Sequence, residues 1–458
     1  MLPSNAARPA TEDRRAALAA FAVFAALLFF AQHKHGIEFF PYDSSTYWAL
    51  AVDPWSLPAS AFIRGYFFPA LLGGWVASLS AIGISQVEAF RLFSSLVYSA
   101  ALTILLPETY RLLAGGRTSL ARRLCPALLL ALVFPGLFLF PLSDVPAALL
   151  MWSAVLLLLR SVAPTASRPL LLALLAGCAA GAAYNTRTVY LFSVGLLALG
   201  LLLQARAHWR ELCCFALGTV LIGVPQAALN LRMHDQLSLD PTVSYVGGSL
   251  FLKQLVWGMG IQKYETYLVG RTPALPYPDP AGIRLLAQVS KEDTVDTVPA
   301  YLLAVARNPM PFLGLYGRHF VNGLDVRDGR VYMTHPPDGK TLTSFACISV
   351  LLLAILSLAA GSPGRRVELP RPALRWTCVA ALVLPALVAI PGAIETRFLL
   401  PLHMFLYVAA AGTWSTAAIG ASLRSRPVLI GALALLAYAV FFAVTQNTLA
   451  QLGAVAER

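Results

Sequence analysis

The sequence predicts an all-α polytopic membrane protein. We expect a bundle of about eleven transmembrane helices (a range of roughly ten to thirteen), with juxtamembrane helices and one outer loop of about 110 residues. Three observations predict it. The 458-residue chain is 58% hydrophobic and 12% charged, with a mean hydropathy of +0.69, which no soluble domain of this size would tolerate. Apolar runs close to the ~20 residues needed to cross a bilayer recur along it. Its arginines collect in short segments between those runs, so the net charge of +12 reads as a topology signal and not as a nucleic-acid surface.

The apolar runs fall near 15–32, 65–83, 88–106, 122–140, 144–160, 169–185, 188–204, 211–230, 343–360, 376–391, 398–417 and 427–447. The first follows Arg14-Arg15 and lacks a small-x-small cleavage site before His33-Lys34-His35, so it is expected to be a retained span. The second opens Gly65-Tyr66-Phe67-Phe68-Pro69, carries Gly73-Gly74 and ends in small and polar residues. It is the weaker of the two runs between Asp43 and Arg111. Assigned as a juxtamembrane or re-entrant helix, it lets every basic segment share one side: Arg8/Arg14/Arg15, Arg111/Arg117/Arg122/Arg123, Arg160/Arg168, Arg206/Arg210, Arg365/Arg366/Arg371/Arg375 and Arg424/Arg426. That side is expected to be cytoplasmic. Asp43, Arg64, Asp144, Arg187, Glu395 and Arg397 then lie outside, together with the loop 232–341.

This loop has ordinary soluble composition, with Trp257 and the Pro-rich stretch Pro273-Ala-Leu-Pro276-Tyr-Pro278-Asp-Pro280. Helical signals occur near 281–290 and 295–307, and 325–340 reads as loop. It is long enough for a small cap and short for an independent domain. The chain therefore divides into an N-terminal membrane module at 1–231, the outer cap at 232–341, and C-terminal membrane helices at 342–458. No repeat of fixed period is visible.

Ionisable residues at membrane-helix ends are costly unless they serve a purpose. Asp43 lies in Glu38-Phe-Phe-Pro-Tyr42-Asp43-Ser44-Ser45-Thr46-Tyr47-Trp48, where a partly dry surround suits a general base. It could equally cap a juxtamembrane helix. Asp144 lies in the turn Pro141-Leu142-Ser143-Asp144-Val145-Pro146, for which a simple helix cap is a strong alternative. Arg187, in Tyr184-Asn185-Thr186-Arg187-Thr188, can snorkel to the surface or pair with a lipid-borne phosphate. Glu395-Thr396-Arg397-Phe398-Leu399-Leu400-Pro401-Leu402-His403 offers a local Glu395–Arg397 pair or an anion site, with His403 below it. Arg318-His319, in an aromatic amphipathic stretch, can anchor to the interface or contact a phosphate or an acceptor.

Other chemistry leaves no mark. There is no Walker loop, dinucleotide fingerprint or HExxH. The six cysteines lie in or beside apolar runs, outside the polar loop, and read as small apolar residues rather than a disulfide framework or zinc site. The sequence itself requires no cofactor.

Taken in order, these motifs resemble the GT-C glycosyltransferases that use polyprenyl-phosphate sugars, a group including protein O-mannosyltransferases, aminoarabinose transferases of lipid A and arabinofuranosyltransferases. The resemblance is carried by Asp43 in the first outer loop and by the 65–83 helix with its Arg64-Gly-Tyr-Phe-Phe-Pro69 start. Glu88-Ala-Phe-Arg91, Ser143-Asp144-Val-Pro146, Arg187 and Glu395 to Pro401 complete it. It covers most of 1–420 as architecture. The chain departs from many relatives in having Ser44 after Asp43 where they carry an acidic pair, and it has no counterpart of the large soluble C-terminal domain that some possess.

The resemblance implies transfer of a sugar from a polyprenyl-phosphate lipid to a hydroxyl on a glycan, lipid or protein acceptor. Asp43 would accept the proton. Arg187 and Arg397, with Arg64 or His403, would hold the leaving phosphate. Asp144 and Glu395 would form a second acidic, metal or acceptor site, with Arg318 and His319 as loop contacts. The helices and cap would enclose the prenyl tail. Some members of the family use a divalent cation, which Asp43 and Asp144 could share here. The expected location is a bacterial inner membrane, with the active face towards the periplasm. Two other classes compete: an O-antigen polymerase or ligase, relying on Arg318-His319, and a lipid or sugar transporter, which one large outer insertion disfavours.

Overall fold

The computed structural model describes residues 8–35, 40–54, 65–115, 118–244, 249–267, 274–292, 295–327, 331–333, 341–360 and 372–456. Among them, eight helices are long and apolar enough to cross a membrane: Asp13–Lys34, Gln86–Ala114, Asp144–Ser161, Pro169–Thr186, Arg206–His234, Thr341–Ala359, Pro372–Ala389 and Pro427–Gln451. The pair Thr396–Thr413 and Thr416–Ser425, bent by 96°, makes nine if it is one broken span. The protein is a multi-pass helical membrane protein.

The sequence places more spans than this, because several of its apolar runs form shorter helices. The 122–140 run gives Leu120–Val133, which contains Pro126 and stops ahead of Pro135. The 188–204 run gives the apolar segment Thr188–Leu202. The 65–83 run gives Phe67–Ser80, of 14 residues. At ~1.5 Å per residue, 14 residues reach about 21 Å, against ~30 Å of hydrocarbon.

Small residues bring the central helices together. A Cβ on Gly177 would sit 1.9 Å from the Phe215 carbonyl oxygen, and one on Gly218 would sit 2.1 Å from that of Leu174. Gly177 and Gly181 lie four apart on the face that the Ala205–His234 helix covers, the small-xxx-small arrangement that lets membrane helices touch backbone to backbone. Thr219 Oγ1 donates across the contact to Gly177 O at 3.2 Å. In the first span, the buried amide of Gln32 is satisfied by Ser94 and Ser95, both at 2.9 Å, where Gln86–Ala114 loosens into π-helical turns.

One end of the bundle is held by basic residues in the terminal turns of its helices. Arg123 donates to Asp13 at 2.8 Å, Arg160 pairs with Glu108 at 3.3 Å, and Arg122 reaches the carbonyls of Gly412 and Trp414. The carboxylates and arginines singled out at the other helix ends are separate from this cluster.

The segment between Arg206–His234 and Thr341–Ala359 holds a sheet, the one departure from an all-helical chain among the described residues. Its order is β2-β1-β3, with β1 (Ile261–Tyr267) antiparallel to β2 (Ala274–Pro278) and parallel to β3 (Tyr332–Met333). Helices Pro280–Glu292 and Val298–Arg307 match the helical signals at 281–290 and 295–307, and Pro309–Leu324 follows. Leu255, Met259, Leu285, Val289, Tyr301 and Phe312 give the cap an apolar core of its own. Polar contacts tie the cap to the last helix: Thr448 donates to Gln262 Oε1 at 2.6 Å, and Arg327 to Thr445 at 3.2 Å. The short β3 lies in the 325–340 stretch; 328–330 and 334–340 are outside the described residues.

Candidate functional site

Arg397 is the hub of the site. It follows Glu395 at the turn between Pro372–Ala389 and the 3₁₀ entry Thr396–Leu399, so it enters the bundle from a helix end. Its Nε donates to Glu395 Oε2 at 2.8 Å and its Nη2 to Asp43 Oδ2 at 3.1 Å, while Nη1 lies 3.7 Å from Asp144 Oδ2. One planar guanidinium thus faces three carboxylates, a task suited to its fork of donors. Asp144 also forms a close ion pair with Arg187. The Phe398 ring lies beside both arginines, 5.0 Å from Arg187 Cζ and 5.7 Å from Arg397 Cζ.

The local structure aims these groups. Tyr42 has φ of 49°, a left-handed conformation that costs a non-glycine residue about 1–3 kcal/mol and is found at functional sites. It turns the chain into the helix Tyr42–Val52, with Asp43 in the first turn. The helix has Pro41 at its cap position and no side-chain cap bond, so Asp43 does not serve as the cap. Asp144 likewise sits in the first turn of Asp144–Ser161, and Ser143 makes no cap bond. Ser143 instead accepts from the Tyr47 hydroxyl at 2.8 Å, joining the two acidic turns. Tyr332 of β3 accepts from the Ser44 N–H at 3.0 Å, bringing the cap onto the same turn. Burial pushes that Tyr332 hydroxyl up to about 12, which keeps it neutral.

Arg187 ends the helix Pro169–Thr186, and the residues before it are fixed by a buried polar chain. Asn185 accepts from the Phe67 N–H at 2.8 Å and donates to Gln226 at 3.0 Å; Gln226 donates to Asn230 at 3.0 Å. Gly65 packs so closely on Asn185 that a Cβ would lie 1.6 Å from its carbonyl oxygen. The helix Phe67–Ser80 is thereby clamped beside Arg187.

These residues open onto a cavity of about 610 Å³. Asp43, Asp144, Arg187, Tyr264 and Arg397 supply its charged and polar end. Leu191, Phe192, Phe251, Pro385 and Val388 supply an apolar wall, and the first three of these are about half-exposed at the protein surface. The cavity therefore joins an ionic pole to an apolar mouth. Side-chain exposure falls from 34% at Asp43 and 23% at Arg187 to 9% at Arg397, 4% at Asp144 and 1% at Glu395. Asp43 and Arg187 are the members a ligand can reach.

Glu395 stands behind the cavity. Burial pushes its carboxyl up to about 7, against the lowering effect of Arg397. Its Oε1 accepts from Thr266 at 3.3 Å. The Tyr264 hydroxyl is held far above the usual tyrosine range by burial and by the nearby Glu395.

The remaining expected residues lie elsewhere. His403 is buried, with Nδ1 facing the Tyr407 hydroxyl at 2.9 Å, and does not line the cavity. Arg318 pairs with Asp279 at 2.6 Å. His319 is fully buried between the carbonyls of Ile390 at 2.7 Å and Ile261 at 2.8 Å, and burial pushes its ring towards the neutral form. Arg318 is occupied in holding the cap together and His319 in joining it to the turn at Ile390. Arg64 lies outside the described residues, as do Glu38, Arg117, Arg365, Arg366 and Arg371. Among the described residues, no group of three or more His, Cys, Asp or Glu is disposed to hold a metal ion, and Arg397 occupies the space between Asp43 and Asp144.

Sequence reasoning did not pick out Tyr264, Lys263, Glu265 and Thr266. They sit on β1, where Thr266 reaches Glu395 and Glu265 reaches Thr396 across 129 and 131 residues of chain, Tyr264 N–H bonds Ile394 O, and Lys263 pairs with Glu265. No local pattern announces such a pairing. A cluster of charged and aromatic residues in Lys263-Tyr-Glu-Thr-Tyr267 was the available signal.

No protein-family model matches the sequence, and no curated protein or solved structure is significantly similar to it.

Proposed function

We propose that the protein is a membrane glycosyltransferase that moves a sugar from a polyprenyl-phosphate lipid to a hydroxyl acceptor. One observation carries the reading: Asp43, Asp144, Arg187 and Arg397 come from distant parts of the chain to the end of one cavity whose mouth is apolar. A lipid-linked sugar phosphate has the same two-ended chemistry, an anionic head on a hydrocarbon tail.

In this reading the acceptor hydroxyl oxygen attacks the anomeric carbon. The bond from that carbon to the phosphate oxygen breaks, and its electron pair leaves with the polyprenyl phosphate. Asp43 takes the hydroxyl proton. Arg187 and Arg397 face the leaving phosphate, where negative charge grows as the bond breaks, and each such contact is worth on the order of 2–4 kcal/mol. Both arginines are already paired with carboxylates, so an arriving phosphate competes with Asp43 for Arg397 Nη2 and frees Asp43 towards the acceptor. Asp144 and Glu395 keep the arginines oriented meanwhile.

The reading carries a topology. About eleven segments cross or enter a bacterial inner membrane, with the shorter helices packed in the bundle or lying at its surface, and the site faces the periplasm. The positions of Arg318 and His319 speak for this enzyme over an O-antigen polymerase or ligase, which would use them on substrate.

The test is to incubate the purified protein with a panel of polyprenyl-phosphate sugars and follow release of free polyprenyl phosphate by mass spectrometry. Turnover supports the reading. Tight binding of donor across the panel without turnover, together with lipid or sugar movement in proteoliposomes, would replace it with a transporter.

A further inference from the structure

The cap strand β1 grips three successive residues ahead of Arg397. The Tyr264 N–H donates to Ile394 O at 2.9 Å, Thr266 Oγ1 donates to Glu395 Oε1 at 3.3 Å, and Thr396 Oγ1 donates to Glu265 Oε1. Glu265 Oε1 also accepts from Lys263 Nζ at 3.3 Å. The pair is deeply buried: Lys263 is 2% exposed and Glu265 8%.

A buried lysine–glutamate pair is weak as a stabilising device, since desolvation offsets its attraction and apolar residues of similar volume serve stability as well. Its value is geometric. Lys263 holds the Glu265 charge in place, and a charged acceptor makes a stronger, better-directed bond to the Thr396 hydroxyl than a neutral one. Thr396 stands between Glu395 and Arg397 in the chain, so fixing it fixes the residues on either side. Neither Lys263 nor Glu265 lines the cavity.

We propose that Lys263, Glu265 and Thr396 form a positioning chain through which the cap holds the Arg397 guanidinium in register with Asp43. The catalytic meaning of that register rests on the glycosyltransferase reading; the mechanical link does not.

Thr396 allows a test that separates the hydroxyl from the packing. Thr396→Val keeps the shape and loses the donor, whereas Thr396→Ser keeps the donor and loses a methyl group. Full-length wild type and both variants are reconstituted in lipid nanodiscs and read in two ways. The first is turnover of a polyprenyl-phosphate sugar, normalised to folded protein and resolved into kcat and KM. The second is infrared titration of the Glu395 carboxyl, its band assigned by its loss in Glu395→Gln; this reports the Arg397 contact without any substrate.

Thr396→Val is expected to lower kcat by roughly 10- to 100-fold, the usual cost of misplacing a catalytic group by about an ångström, with KM changed far less. It should also move the Glu395 midpoint upward by about one pH unit as Arg397 loosens. Thr396→Ser should lie close to wild type in both. The opposite order, or equal behaviour of the two variants, overturns the proposal. Absence of turnover in wild type counts against the glycosyltransferase reading alone, and the infrared comparison then decides the positioning chain. If Thr396→Val does not fold, Thr396→Ala, which loses the same donor without changing any charge near Glu395, is read on the same scales: an upward Glu395 midpoint supports the chain and an unchanged one overturns it.

Discussion

Arg397 donates to Asp43 at 3.1 Å across 354 residues of sequence, joining the turn at Tyr42 to the entry of the helix Leu400–Thr413. The same guanidinium contacts Glu395 and faces Asp144, so the whole ionic end of the cavity is organised around one side chain.

Replacing that side chain is therefore expected to be costly even when the charge is kept. A lysine ammonium cannot match the Nε and Nη2 directions together. Arg397→Lys should lose about 10²- to 10³-fold in kcat, comparable to removing a donor to a developing oxyanion. Arg397→Gln leaves Asp144 and Glu395 buried without their common partner, which costs about 3–5 kcal/mol. A lower melting temperature in detergent, larger for Gln than for Lys, checks both statements.

The raised Glu395 carboxyl makes stability fall as pH rises. Unfolded, the group ionises near 4.5; folded, it ionises near 7. The folded state thus binds the proton more tightly. That contribution is fully present below pH 4.5 and is lost as pH climbs to about 7. Wild type should lose melting temperature between pH 5 and pH 8, and Glu395→Gln should lose measurably less. Equal slopes would remove Glu395 as the titrating group.

The helix contact at Gly177 gives a test independent of chemistry. Gly177→Val forces a side chain into the space of the Phe215 carbonyl, 1.9 Å from the position a Cβ would take. Overpacking of this kind costs about 1–3 kcal/mol, more where the obstacle is backbone. Thermal unfolding should show the loss. Gly195→Val, where nothing lies within 4 Å of the added Cβ, should show little.

His319 separates the transferase from the O-antigen ligase alternative. Its ring bridges the start of β1 and the Ile390 turn. His319→Ala should lower stability by about 1–3 kcal/mol by removing the N–H that pairs a buried carbonyl, with kcat per folded molecule close to wild type. A kcat collapse in stable His319→Ala protein would place the histidine on substrate.

Residue type and position made part of this site legible. Asp43, Asp144, Arg187, Glu395 and Arg397 stand at the ends of apolar runs, where ionised groups are expensive, and that cost is visible in one dimension. Their mutual contacts were visible only as a shared side. Lys263, Glu265 and Thr266 sit in a polar segment where charge is cheap, and what distinguishes them is burial beneath a strand pairing that no nearby residue encodes. Arg318-His319 shows the converse. Two residues suited to phosphate binding are taken by Asp279 and by backbone carbonyls. Multi-pass helical character followed from composition, whereas individual helix lengths did not, because Pro135 and the 96° bend at 414–415 end helices inside runs of continuous hydropathy.

The central claim is that Asp43 removes the acceptor proton in a transfer from a polyprenyl-phosphate sugar. It is tested most directly by comparing wild type and Asp43→Asn for release of polyprenyl phosphate, with melting temperature recorded alongside. Asp43 is the most exposed of the three carboxylates around Arg397, so asparagine is expected to preserve the fold. The account predicts turnover by wild type and a loss of about 10²- to 10⁴-fold in the folded variant. Undiminished turnover by Asp43→Asn would contradict it.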